Sequence, residues 1–230
     1  MQTDSQEKLE EELRRLMCRS EELQPELSEF ITDGPLGQMI HHPFFVRIGY
    51  IPQLNARFNE EFLKMKRSVD EARNDRDWSR FLWLHEKPYR FNALDQIWGN
   101  IRRERKKAEL FIDVWTVSEN LWQTRDIWED MIEQIPNSHF HAAMEAEDRE
   151  TLNSFEYPLH VYRGGNPEHD QCWSWTTSRK TAEWFSQRFE NVEDDAQGQV
   201  FEDVLDDEER IAFYYSGRGE YELVLRDGDV

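Results

Sequence analysis

The chain has 230 residues, of which 38% are hydrophobic, and a formal net charge of -20. Its 9 Trp, 14 Phe and 7 Tyr offer enough large apolar surface to bury a core without many aliphatics, which excludes a disordered chain. The acidic field excludes direct binding to nucleic acid or anionic membranes and favours partners with basic surfaces.

Taken in chain order, the first 20 residues read as an amphipathic helix through Leu9, Leu13 and Leu16. The first ten residues contain no apolar run, and no run approaches the roughly 18 consecutive apolar residues of a membrane span. Cys18 and Cys172 are too few for a disulfide framework. No membrane contact is expected, and the expected location is cytoplasmic. Residues 32–53 carry Gly34, Pro35, Gly37, Pro43, Gly49 and Pro52 and read as a loop, pinned to a core by Phe44, Phe45 and Val46.

Leu54, Phe58, Phe62, Met65 and Val69 keep helical spacing over four turns. A short aromatic helix is expected from Trp78 to Glu86, stopping before Pro88. Another runs from Phe91 through Leu94, Ile97, Trp98 and Ile101 and continues along the basic run Arg102–Lys107. Phe111–Val117 fits helix or strand. Ile127, Trp128, Met131 and Ile135 mark a helix closed by Pro136, and 138–153 a last one. Within Val114–Trp122, polar groups stand among tryptophans. Buried packing is the first reading of that stretch, and the lining of a pocket is the second.

From Tyr157 the period changes to two. Leu159–Arg163, Trp173–Thr176, Val200–Val204, Ile211–Tyr215 and Tyr221–Leu225 read as strands. Ser178 is placed to cap a helix running to Phe189, and Asp203–Glu209 reads as a solvated turn. The expected fold class is therefore α+β: a helical region over 1–153 packed on a small split β-sheet over 154–230.

Three features follow in order within 60 residues: Arg163-Gly164 ending a strand, Ser174-Trp175-Thr176 running into a helix, and Glu220-Tyr221-Glu222 on a late strand. Together they resemble the arginine–serine–glutamate class of ADP-ribosyltransferases over about 157–227. Ala182 and Phe185 fall where that family's helix carries Ala-x-x-Phe. A placement on Thr176-Thr177-Ser178 loses that match. Trp175 and Thr176 stand where the family has Thr and Ser. Only 11 residues separate Arg163 from Ser174, where the family usually has several tens.

The chemistry has its own logic. Breaking the glycosidic bond of NAD builds positive charge at the ribose carbon, so the site needs a carboxylate there and a cation for the pyrophosphate. Arg163 offers a planar fork for phosphate. Gly164 permits close backbone approach to the carboxamide. Residues two apart on a strand share a face, so Glu220 and Glu222 are expected to point into one pocket. The resemblance implies that Glu222 acts on NAD, that Glu220 positions an arginine acceptor, and that Ser174 fixes the glutamate and the ribose. Thr176 and Phe185 complete the cofactor contacts.

The expected activity is thus mono-ADP-ribosyl transfer from NAD to a protein side chain, arginine favoured. The competing expectation is a non-enzymatic acidic protein that covers a basic, nucleic-acid-binding surface. Residues 151–230 carry 18 acidic and 7 basic side chains, so the charge is densest where the site is expected. No metal is expected, because His41, His42, His139 and His141 lack partners at ligand spacing.

Overall fold

The computed structural model describes residues 21–119, 121–165, 173–190 and 198–226. It mixes helices with two antiparallel sheets. The chain divides into two compact units, residues 1–94 and 95–230. The amphipathic helix expected over residues 1–20 lies outside the described residues.

In the first unit, a short helix α1 (Pro25–Ser28) leads into β1 (Ile31–Gly34), β2 (Gly37–His42) and β3 (Phe45–Arg47). They form an antiparallel sheet in the order β1-β2-β3, with Ile31 opposite Ile40 and His41 opposite Val46. The loop expected over 32–53 is therefore largely sheet. Its glycines and prolines punctuate hairpins rather than a structureless run, and Gly37 turns the chain at φ +104°. Helix α2 (Asn55–Asn74) buries Phe58 and Phe62 against Leu27, Ile40 and Phe45, as its spacing predicts. A short helix α3 (Trp78–Trp83) is capped by Asp77, whose side chain accepts from the Arg80 N–H.

His42 is enclosed by rings in the same core, with centroids 4.6 Å from Phe30, 4.3 Å from Phe44 and 5.0 Å from Phe62. Burial pulls its pKa down to about 4, and the nearby His85 pushes in the same direction. His85 is itself buried, holds Phe81 O at 2.8 Å through Nδ1, and is also lowered by burial.

Helix α4 (Arg90–Ile97) carries the chain across the boundary. The continuous helix expected from Phe91 to Lys107 is interrupted. A 3-10 turn at Trp98–Asn100 ends on an extended Ile101, and α5 (Glu104–Trp115) starts afresh. Gly99-Asn100 is a sequence signature of such a stop. The ambiguous Phe111–Val117 is helix as far as Trp115.

Then come α6 (Arg125–Glu133), α7 (Asn137–Ala143) and α8 (Ala146–Asn153). The single last helix expected over 138–153 is two, separated by extended Met144 and Glu145. Arg226 donates to the carbonyls of Ile132 and Ile135 and to Asn137 Oδ1, satisfying acceptors at the end of α6.

The second sheet contains β4 (Leu159–Gly165), β5 (Ser174–Thr176), β6 (Gln199–Leu205), β7 (Ile211–Tyr215) and β8 (Glu222–Leu225), ordered β6-β4-β5-β8-β7 with every pair antiparallel. It is one continuous sheet, not a split one. Helix α9 (Arg179–Glu190) follows β5, and Ser178 Oγ accepts from the Thr181 N–H at 3.2 Å, the cap its sequence position predicts.

The helices over 95–153 belong with this sheet, because Phe111 and Phe140 pack their rings on Phe213 of β7 at 6.1 and 5.6 Å. The boundary between the compact units therefore falls at 94/95 rather than 153/154. Among the described residues, no helix is long and apolar enough to cross a membrane.

Candidate functional site

The three sequence features lie on neighbouring strands, because β5 sits between β4 and β8. Tyr162 is opposite Thr176, and Thr176 opposite Glu222. Ser174 is two residues from Thr176 on the same strand, so it shares the face of Glu222. Ser174 Oγ donates to Glu222 Oε1 at 2.6 Å. Trp115 Nε1, at the end of α5, donates to the same oxygen at 3.0 Å. Glu222 is 7% exposed and Trp115 2%. A carboxylate at that depth is stable only with charge-assisted donors such as these.

The other residues implied by the resemblance stand differently. Glu220 does not share a strand with Glu222. It caps the 3-10 turn Gly217–Gly219, and Tyr221 sits in the left-handed region at φ +52°, so the rule of two along an extended strand does not reach it. Glu220 enters the site's framework through its backbone, whose carbonyl accepts from Thr176 Oγ1 at 2.9 Å.

Arg163 is one residue beyond Tyr162 on β4, and strand alternation turns it to the opposite face from Thr176 and Glu222. It lies over Phe201, its partner across β6, at 5.5 Å, with its guanidinium folded along Gly165. The convergence of guanidinium and acid implied by the resemblance is therefore not what the register gives.

Gly164 faces α9. A Cβ there would stand 1.8 Å from Ala182 O and 2.6 Å from Ser186 N, so the glycine allows helix and strand backbones to touch. Gly198 does the same beneath Ser186, at 1.9 Å from its carbonyl oxygen. The Thr176 hydroxyl accepts from the Ser178 N–H as well as donating to Glu220 O, so it is engaged in joining β5 to the turn and to α9. Phe185 is half-buried on α9, 4.9 Å from Trp184, which is 55% exposed.

Sequence reasoning did not single out Trp115 itself, although the polar-aromatic stretch containing it was marked. Around it, Trp173 packs edge-on at 6.2 Å, and the Arg125 guanidinium lies 5.6 Å over the Trp173 ring. Trp173 is 1% exposed, and its Nε1 is buried without a hydrogen-bond partner among the described residues. Across β7–β8, Tyr214 opposes Leu223, and its phenol is pushed up by burial and then by Asp148. Among the described residues, no group of three or more His, Cys, Asp or Glu side chains is gathered to hold a metal.

No protein-family model matches the chain, and neither does any curated protein or solved structure.

Proposed function

We propose that the second unit is an NAD-cleaving domain of the ADP-ribosyltransferase type, with Glu222 as its catalytic carboxylate and Ser174 as the residue that orients it. The observation supporting this reading is the 2.6 Å hydrogen bond from Ser174 Oγ to a 7% exposed Glu222. Departure of nicotinamide leaves an oxocarbenium at the ribose carbon. A preoriented carboxylate in a water-poor site stabilises that charge far better than one in solvent. The serine and glutamate are the residues that the resemblance pairs. Arg163 is given no part in holding the pyrophosphate.

Transfer to a protein side chain distinguishes a transferase from a glycohydrolase, and the acidic chain suits a basic, arginine-bearing acceptor. The test is incubation with NAD labelled in its adenylate half, with and without a basic acceptor protein. Label on the acceptor supports transfer, free ADP-ribose supports hydrolysis, and intact NAD in both arms ends the proposal.

A second reading is favoured by Gly164, whose place against α9 accounts for it by packing alone. On that reading, the chain is a non-enzymatic acidic protein that covers a basic surface. Its binding to such a partner falls steeply with salt and is indifferent to Glu222→Gln.

A further inference from the structure

We infer that Asp148 is a positioning residue for Glu222: from α8 it holds the turn Ser216–Tyr221, the segment that delivers the acid to the start of β8. Its importance for catalysis rests on the reading of Glu222 as the catalytic carboxylate.

Asp148 lies in the first turn of α8 and is 6% exposed. An acid there suits the positive end of the helix dipole. The dipole does not explain where the side chain reaches. Asp148 Oδ1 accepts from the Ser216 N–H at 3.0 Å, across 68 residues of chain. Ser216 directly follows β7, and Glu222 is the first residue of β8. The bond therefore fixes the near end of the link between the two strands.

The rest of that link is held by its own contacts. The Gly219 and Glu220 N–H groups donate to the carbonyls of Ser216 and Gly217 at 3.3 and 3.4 Å. Gly217 sits over the Tyr215 phenol, where a Cβ would stand 2.1 Å from the ring. Thr176 Oγ1 donates to the Glu220 carbonyl at 2.9 Å. Tyr221 then takes φ +52°, a conformation that a residue with a Cβ keeps only when its surroundings impose it. The strained residue stands directly before Glu222. Asp148 at the start of the turn and Thr176 at its end hold it against that strain. The Tyr214 phenol, pushed up by burial and then by Asp148 and Tyr221, stands near both ends of the turn. Released at Ser216, the turn relaxes at Tyr221 and carries the Glu222 carboxylate away from Ser174 and Trp115.

The Trp115 indole N–H donates to Glu222 Oε1, so its resonance in nitrogen–proton correlation spectra reports where that oxygen lies. Trp115→Phe assigns the resonance. Asp148→Ala is expected to shift it and to speed exchange of the Ser216 amide about tenfold. Ser216→Pro deletes the same bond from the other side, since the Ser216 φ of -91° is near the proline range, and shifts the resonance likewise. It gives the same reading should Asp148→Ala not fold, which circular dichroism checks. Asp148→Asn keeps an acceptor oxygen and leaves Trp115 close to its wild-type position. Glu147→Ala removes an exposed acid from the same helix end and leaves Trp115 unmoved, which separates the turn from the dipole.

An unshifted Trp115 resonance in the variants that lose the bond overturns the inference, as does an equal shift in Glu147→Ala. NAD cleavage is followed in parallel, and Asp148→Ala is expected to lower kcat roughly tenfold with KM unchanged. A shifted Trp115 resonance with no cleavage by wild type removes the proposed activity and leaves Asp148 as the anchor of Glu222. Cleavage with kcat unchanged in Asp148→Ala removes the positioning role and leaves the activity.

Discussion

Ser174 and Glu222 meet diagonally: the register sets Ser174 opposite Val224 and Glu222 opposite Thr176, yet the Ser174 hydroxyl reaches Glu222 Oε1 at 2.6 Å. Such diagonal neighbours on one sheet face lie within reach of a long side chain. The bond ties the short strand β5 to the first residue of β8 and fixes the direction of a buried acid.

Removing that donor leaves a buried carboxylate short of a partner. Ser174→Ala is expected to destabilise the second unit by about 1–3 kcal/mol. Urea unfolding followed by near-UV circular dichroism measures it, and a change below a few tenths of a kcal/mol would show that the hydroxyl contributes nothing to holding Glu222.

Trp115 combines packing and donation. Trp115→Phe keeps a ring among Phe111, Trp128 and Phe213 but loses the N–H to Glu222. We expect it to cost about 1–3 kcal/mol, and Trp115→Ala about 3–5 kcal/mol. Equal stability losses in the two variants would mean that the hydrogen bond, not the ring, dominates.

Gly164→Ala puts a methyl group into the backbone of α9, where neither Ala182 O nor Ser186 N belongs to a side chain that can swing away. The helix must lift from β4, at an expected cost of about 1–3 kcal/mol. Gly219, with open space around its Cβ position, is constrained only by its φ of +71°. Thermal melts of Gly164→Ala and Gly198→Ala should both fall by several degrees, since both glycines seat the same helix. Unchanged melting of either variant contradicts the close approach.

The first unit should lose stability in mild acid. His42 has a folded pKa of about 4, against 6.5 in the unfolded chain. Between these values the unfolded state binds the proton and the folded state does not, so stability is full above about pH 6.5 and falls as pH drops toward 4. The window corresponds to a loss of about 3 kcal/mol, and lowering of His85 acts in the same direction. His42→Leu should flatten the stability profile between pH 6.5 and 4.5 in denaturant titrations. An unchanged slope would show that the ring is not held neutral.

Much of the fold was legible because its signals are local. The spacing of Phe58, Phe62 and Val69, the change to period two after Tyr157, and Ser178 at a helix start each report a short-range constraint. The first sheet was missed because its strands are short and its turns carry the glycines and prolines that also mark loops.

At the site, Ser174 and Glu222 were both legible as motif residues, and the structure joins them. Trp115 donates across 107 residues of chain, a relation that no local pattern encodes. Arg163 and Glu220 fell to backbone detail. One residue of register reverses a face, and a single left-handed tyrosine ends the alternation that would have aligned two glutamates.

Release of nicotinamide from NAD by wild type and by Glu222→Gln is the most direct test. Glutamine keeps one oxygen to accept from Ser174 and Trp115, loses the charge, and replaces the second oxygen with an NH2 donor. Wild type should cleave NAD, and the variant should be slower by about a hundredfold or more. Equal rates in the two proteins, whether both cleave NAD or neither exceeds buffer alone, would contradict the assignment of Glu222 as the acid that acts on the ribose.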